Sequence, residues 1–146
     1  MNIRTATIDD MGQLSALFDA YRVFYKKETD IENAIHFLTE RIRNQESVIY
    51  VAEDGGVLNG FVQLYPIFSS TRMKRYWLLN DLYVQPEQRG KGISLALIER
   101  ARQLCRESGS CGMMLETAKT NLIGNSLYPR AGFELDNDHN YYSWDI

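Results

Sequence analysis

Between Tyr76 and Glu107 the chain changes its hydrophobic period, and this change constrains the fold more than any other feature. Tyr76 to Val84 reads as a strand that stops at Pro86, because a residue without an N–H cannot continue a ladder. From about Gly92 to Glu107 the period is helical. Ile93, Leu97, Ala101 and Leu104 fall on one side, and Glu99, Arg100, Arg102 and Arg106 fall on the other. The link is a glycine-bearing turn that ends Arg89-Gly90-Lys91-Gly92-Ile93-Ser94. Glycine admits positive φ and leaves room beside the backbone, so such a turn can present consecutive N–H groups to an anion. The helix start adds unpaired amides and the positive end of its dipole. A pyrophosphate suits that environment, with Arg89 and Lys91 as further positive charge. The same glycines would also serve a turn that only satisfies its own backbone geometry.

The remaining pattern places this unit in a layered α/β fold. Ile3 to Thr7 alternates as a short strand. Asp9 or Asp10 can cap a helix carrying Met11, Leu14, Leu17, Phe18, Tyr21 and Tyr25 at helical spacing. A second helix starts near Asp30, with Ile31, Ala34, Ile35, Leu38 and Ile42 on one stripe. Val48 to Ala52, the turn Asp54-Gly55-Gly56 and Val57 to about Phe68 have the composition of a hairpin. After the helix ending near Glu107 come a strand from Met113 to Thr117, a helix from Asn121 to Ala131 and a closing strand from Tyr141 to Asp145. The expected architecture is α/β, with a mixed central sheet of six to seven strands and four helices. At 146 residues, without repeat or linker composition, one domain over 1–146 is expected.

Several classes of function fit poorly. A net charge of −3 does not suit a protein that grips nucleic acid through clustered lysine and arginine. No apolar run has the length of a membrane span and the first residues lack a signal-peptide core, so a cytoplasmic protein is expected. Cys105 and Cys111 then read as reduced thiols. No spacing of His36, His139 and the cysteines makes a metal site, so no metal is expected. The glycine turn matches neither G-x-x-x-x-G-K-[ST] nor G-x-G-x-x-G after an early strand.

With those patterns set aside, the turn resembles the coenzyme A motif R/Q-x-x-G-x-G/A of the GCN5-related N-acetyltransferase (GNAT) family, which follows a strand ending in V-x-P. Here Val84-Gln85-Pro86 precedes Arg89-Gly90-Lys91-Gly92-Ile93-Ser94, with serine in place of the last small residue. The family's second motif, N-x-x-A-x-x-x-Y-x-x-x-G-F, is matched by Asn121, Gly124, Tyr128, Gly132 and Phe133, with glycine where alanine is usual. The resemblance covers nearly the whole chain.

The resemblance implies direct transfer of an acetyl group from acetyl-coenzyme A to an amine. The stretch Leu82, Tyr83 and Val84 would hold the pantetheine through the backbone of Leu82 and Val84. The amides of Arg89, Gly90, Lys91, Gly92, Ile93 and Ser94 would hold the pyrophosphate, and Asn121 would cap its helix or touch the cofactor. Tyr128 would be the general acid toward the departing sulfur. Asp81 would be the base or amine anchor, with Glu116 as the reserve carboxylate. Alternation allows only one of Asn80 and Asp81 to face the acceptor unless a bulge intervenes. Pro129, next to Tyr128, predicts a local kink. Of the cluster Tyr21, Phe24 and Tyr25, Tyr25 lies nearest the polar Lys26-Lys27-Glu28 break and is the better candidate for a wall of the acceptor site, since Tyr21 suits packing on the sheet at least as well. The expected acceptor is a small-molecule amine, with no nucleic acid or membrane partner. A homodimer is an option in which Tyr141 to Trp144 lies at the shared edge. Transfer to a protein lysine or amino terminus is the alternative, and a non-catalytic acyl-coenzyme A sensor is a second.

Overall fold

The computed structural model describes residues 1–146, which form two compact units, Met1–Glu116 and Thr117–Ile146. The first contains β1 (Asn2–Thr5), α1 (Met11–Phe24), α2 (Ile31–Arg43), β2 (Val48–Asp54), β3 (Val57–Ser69), β4 (Lys74–Val84), α3 (Ile93–Glu107) and β5 (Met113–Met114). The five strands lie in sequence order. The first three pairs are antiparallel and β4 with β5 is parallel. A parallel neighbour requires a crossover, and α3 supplies it.

Alternation along the strands divides the core between two faces. On one, Leu14, Leu17 and Phe18 of α1 and Ala34 and Leu38 of α2 pack on Ile49, Val51, Leu58 and Phe61. Phe18 stacks on Phe37 at 5.8 Å and tilts against Phe61 at 6.2 Å, which ties both helices to β3. The other face receives Ile93, Leu97, Ile98 and Ala101 of α3, and the Arg100 guanidinium lies 4.2 Å above the Tyr50 ring. Asp30 caps α2 by accepting from the Asn33 N–H at 3.2 Å. Asp19, buried in α1, accepts from Thr29 Oγ1 at 2.6 Å and the Asp30 N–H at 2.7 Å, fixing the connection between the two helices. Cys105 and Cys111 are free thiols.

Two expectations about the sheet are corrected. It has five strands rather than six to seven, and β5 covers Met113–Met114 rather than Met113 to Thr117. The β5 ladder pairs Trp77 with Met113 and Leu78 with Met114, then ends beside the irregularity in β4 described below. The segment from Tyr141 to Asp145 forms no strand. Just before it the Asp136 carboxylate accepts from the N–H groups of Asp138 and His139 at 2.8 and 3.1 Å and from Tyr141 Oη at 3.1 Å. Those local bonds turn the backbone that leads into it.

In Thr117–Ile146 the one regular element is α4 (Leu122–Arg130). Asn121 caps it by accepting from the Gly124 N–H at 3.1 Å. At the other end Gly132 at φ 91° allows Gly132 N–H to reach Pro129 O and Phe133 N–H to reach Tyr128 O, the paired bonds that close a helix C-terminus. α4 runs through Pro129 to Arg130, because in the last turn a missing N–H removes a single helical bond.

Candidate active site

The edge of β4 is made available by one extra residue. The Trp77 N–H donates to Gly112 O at 3.1 Å and the Arg75 carbonyl accepts from the Cys111 N–H at 2.9 Å, so the backbone of β4 faces β5 at residues 75 and 77. Counting by twos would aim Gln85 the same way. Instead its N–H donates to Asn59 O, on the β3 side, at 2.9 Å. The register locates the missing step: Gln63 faces Asp81 and Leu64 faces Leu79, leaving Asn80 unopposed. This β-bulge reverses the alternation. Leu82 and Val84 therefore turn their N–H and C=O groups away from β3, onto an edge that β5 no longer pairs. The Val84 carbonyl accepts from Arg89 Nε at 3.0 Å, while Tyr83 keeps its backbone on the β3 side and packs its ring against the α1 core.

Beside that edge sits a buried acid. Asp81 is 4% exposed, and its carboxylate accepts from Gln63 Nε2 at 2.6 Å and Asn80 Nδ2 at 3.0 Å. The bulge thus brings Asn80 and Asp81 side by side. The Tyr21 hydroxyl, projecting from α1, has one proton to share between the Asn80 carbonyl, at 3.2 Å, and the Asp81 carboxylate. Burial pushes the Asp81 carboxyl above its usual range, and the bonds from Gln63, Tyr21 and Asn80 oppose that shift without cancelling it. A carboxyl so placed can take up a proton closer to neutral pH than an exposed one.

Tyr21 belongs to an aromatic cluster at the end of α1. Tyr25 closes the helix, 37% exposed, with its ring edge-on to Tyr21 at 5.0 Å and to Phe24 at 5.2 Å. Tyr21 in turn meets Phe61 edge-on at 6.0 Å. Asn80 is exposed beside Tyr21, whereas Glu116 lies two residues beyond β5, exposed and without a hydrogen bond or ion pair.

The glycine turn leaves a row of amides open. Gly90 and Gly92 have φ of 76° and 80°, in the left-handed region, and a Cβ at either would meet nothing within 4 Å. Their need for glycine is conformational, and the space beside them is free. The Arg89 N–H donates to Pro86 O at 3.3 Å, but the N–H groups of Gly90, Lys91, Gly92, Ile93 and Ser94 have no protein acceptor. Ile93 anchors the turn through a side chain that is 5% exposed. Lys91 Nζ bonds Gln88 Oε1 at 2.8 Å, and the Arg89 guanidinium lies 5.5 Å from the Tyr83 ring and 5.9 Å from the Phe24 ring. Unpaired amides at a helix start, with two cations adjoining, are the donor set a diphosphate requires. No cluster of three or more His, Cys, Asp or Glu side chains is placed to hold a metal ion, and no helix is long and apolar enough to cross a membrane.

Within Thr117–Ile146, Asn121 uses both ends of its amide: Oδ1 caps α4 and Nδ2 donates to Thr117 Oγ1 at 2.9 Å. A Cβ at Gly124 would lie 2.5 Å from Asn121 Nδ2 and 3.2 Å from Tyr128 Cε2, which accounts for glycine there. The Tyr128 ring is half-buried and edge-on to Phe133 at 5.8 Å.

Sequence reasoning did not single out Gln63, Ser47 or the bond from Tyr21. Gln63 carried a signal nonetheless, as a polar residue inside the apolar run Phe61-Val62-Gln63-Leu64.

Comparison with known proteins adds an independent line. The profile of the acetyltransferase (GNAT) family matches residues 14–133. The chain is 40% identical over 146 residues to the uncharacterized N-acetyltransferase YhfO of Bacillus subtilis (strain 168), covering 100% of this chain and 98% of that protein. It is 34% identical to a probable acetyltransferase of Haemophilus influenzae, over 84% of this chain and 83% of that one. The crystal structure of a probable acetyltransferase superposes with a TM-score of 0.95 at 38% identity, covering 100% of this chain and 98% of the other.

Proposed function

The chain belongs to the acetyltransferase (GNAT) family, and from that premise we propose that it transfers the acetyl group of acetyl-coenzyme A directly to the primary amine of a small molecule. The observation that carries this reading is the row of acceptor-free N–H groups from Gly90 to Ser94, following a strand whose outer edge has no neighbouring strand at Leu82 and Val84. When bound, acetyl-coenzyme A supplies an activated thioester. The chain supplies orientation, and holding two reactants in line accounts for a large part of such rate accelerations.

Each residue then has a stated task. The amides of the turn, with Arg89 and Lys91, bind the diphosphate, and the backbone groups of Leu82 and Val84 bind the pantetheine amides. Arg89 must release or share the Val84 carbonyl for this to occur. The ring faces of Tyr21 and Tyr25 attract the incoming ammonium. Asp81 takes the proton that the ammonium must lose before its nitrogen can attack, and the Tyr21 hydroxyl passes it inward. As the nitrogen–acyl bond forms and the carbon–sulfur bond breaks, Tyr128 would give a proton to the departing sulfur, and the second proton that the nitrogen sheds on becoming an amide would restore the Tyr128 phenol. That assignment rests on the family motif.

A small acceptor is favoured by the region beside Asp81. The connection between α1 and α2 is only Tyr25 to Asp30, held by Asp19, and contributes no insertion that would line a peptide groove. The test is release of free thiol from acetyl-coenzyme A over a panel of small amines, lysine peptides and free peptide amino termini, with products identified by mass spectrometry. Turnover confined to small amines supports the proposal. Turnover confined to peptides refutes the substrate class, and coenzyme binding without turnover of any amine refutes catalysis.

A further inference from the structure

The Asp81 carboxyl depends on a side chain that has no other visible purpose. Gln63 is 0% exposed at the middle of β3, between Val62 and Leu64, both also fully buried. A leucine would fill a similar volume there, and burying an unbonded amide costs about 2–7 kcal/mol. Gln63 avoids that cost at both ends: Oε1 accepts from Ser47 Oγ at 2.8 Å, and Nε2 donates to Asp81 Oδ2 at 2.6 Å. The sheet register makes the alignment, because Ile49, Gln63 and Asp81 are direct partners across β2, β3 and β4. The buried polar side chains of α1, by contrast, have local uses. Ser15 bonds Gly12 O, and Asp19 ties down the connection to α2.

We infer that Gln63, backed by Ser47, is a positioning residue that holds the Asp81 carboxyl in one orientation and lets it gain or lose a proton without losing its hydrogen bond. The chemistry of the pair allows this. An ionised Asp81 needs a donor, which Nε2 provides. A protonated Asp81 has a proton to give, and a rotated Gln63 amide receives it on Oε1 while Ser47 Oγ turns from donor to acceptor. A methionine or leucine could do neither, and a glutamate would set a second acid against the first. The other groups facing Asp81 are Tyr21 from α1, Asn80 on its own strand and Tyr65 on β3. The Tyr65 phenol is pushed up to about 12, by burial first and then by the Asp81 charge, with Arg41 of α2 acting in the opposite sense. None of these carries a positive charge onto Asp81, so the Gln63 amide is a main support of its ionised form.

The inference rests on Asp81 as the proton acceptor in the proposed reaction, and the experiment separates the two. The titration of Asp81 is followed by the 13C resonance of its carboxyl in aspartate-labelled protein, assigned with Asp81→Asn and needing no substrate. Gln63→Leu is expected to make Asp81 hold its proton to higher pH, with Ser47→Ala moving it less in the same direction and the Asp10 signal unmoved. With the amine that turns over in the panel, Gln63→Leu should lower kcat/KM at pH 7 by about tenfold, the loss of one hydrogen bond to a charged group, and recover as the pH rises. A well-folded Gln63→Leu with Asp81 titrating as in the parent overturns the inference. If that variant does not fold, an unmoved titration in Ser47→Ala overturns it in the same way. Full activity of Asp81→Asn would instead remove Asp81 from the mechanism while leaving the measured coupling intact.

Discussion

Gly60→Ala tests whether the close pairing of β3 and β4 sets the free edge at Leu82 and Val84. A Cβ at position 60 would lie 2.7 Å from the Tyr83 carbonyl oxygen, 3.1 Å from Val84 Cγ2 and 3.3 Å from Val84 Cα. Two of those three atoms are backbone, so a rotamer change cannot relieve the contact. β3 and β4 must separate by several tenths of an ångström, next to the bond from Gln85 N–H to Asn59 O. Overpacking of this kind costs about 1–3 kcal/mol. The reduced freedom of the unfolded chain returns about 0.4–1 kcal/mol, so a net loss centred on about 1.3 kcal/mol, and no more than about 2.6 kcal/mol, is expected. Urea unfolding monitored by circular dichroism should show a lower midpoint at unchanged slope. Acetyl-coenzyme A affinity should fall as well, because the strand carrying Val84 has moved. Gly12→Ala is the control: nothing lies within 4 Å of a Cβ there, in α1, and a gain of up to about 1 kcal/mol is expected. A Gly60→Ala protein as stable as its parent would refute the argument.

The remaining predictions concern charge and chemistry. Asp10 is held by both Arg4 Nη1 and Nη2 at 2.8 Å, which lowers its carboxyl pKa, so its contribution is present above the unfolded carboxylate range and is lost as the pH falls through the depressed value. Asp10→Asn should therefore cost about 1–3 kcal/mol at pH 7 in urea unfolding, and the difference from the parent should shrink in acid; an equal difference at both pH values would refute it. Asp81 has the opposite sign, since a raised carboxyl stabilises most below its unfolded pKa and loses that contribution as the pH rises through the folded one. Asp81→Asn should flatten that part of the stability profile. Tyr128→Phe should lower turnover by about a hundredfold with coenzyme affinity nearly unchanged, and an unaltered rate where chemistry limits would remove it as the acid.

The strand, turn and helix around Arg89 were readable because each carries a local signal: Pro86 stops a strand, glycines permit the left-handed turn, and Ile93, Leu97 and Ala101 recur at helical spacing. Asp81 could be proposed from its place before Leu82, but its surroundings could not. Its partners come from β3 and α1, and a one-residue bulge decides that Asn80 lies beside it. Bulges arise from pairing between strands, which a single segment does not encode. The closing strand was misread for a related reason. Tyr141, Tyr142 and Trp144 have strand propensity, yet Asp136 offers the preceding backbone a local alternative. Gly124 stood out as a departure from the family pattern, and its reason, the Asn121 cap against the Tyr128 ring, is visible only in three dimensions.

The amide row is tested most directly by calorimetry of acetyl-coenzyme A with the parent protein, Gly92→Ala and Gly92→Asp. Aspartate tolerates φ 80° at least as well as alanine does, so weaker binding by Gly92→Asp reports the bulk and charge it presents to the diphosphate rather than backbone strain. With all three folded, Gly92→Asp should bind at least about tenfold more weakly than Gly92→Ala, a difference of about 1.4 kcal/mol or more. Equal affinity of the two, matching the parent, would mean that the diphosphate binds elsewhere and that the N–H groups from Gly90 to Ser94 do not hold the cofactor.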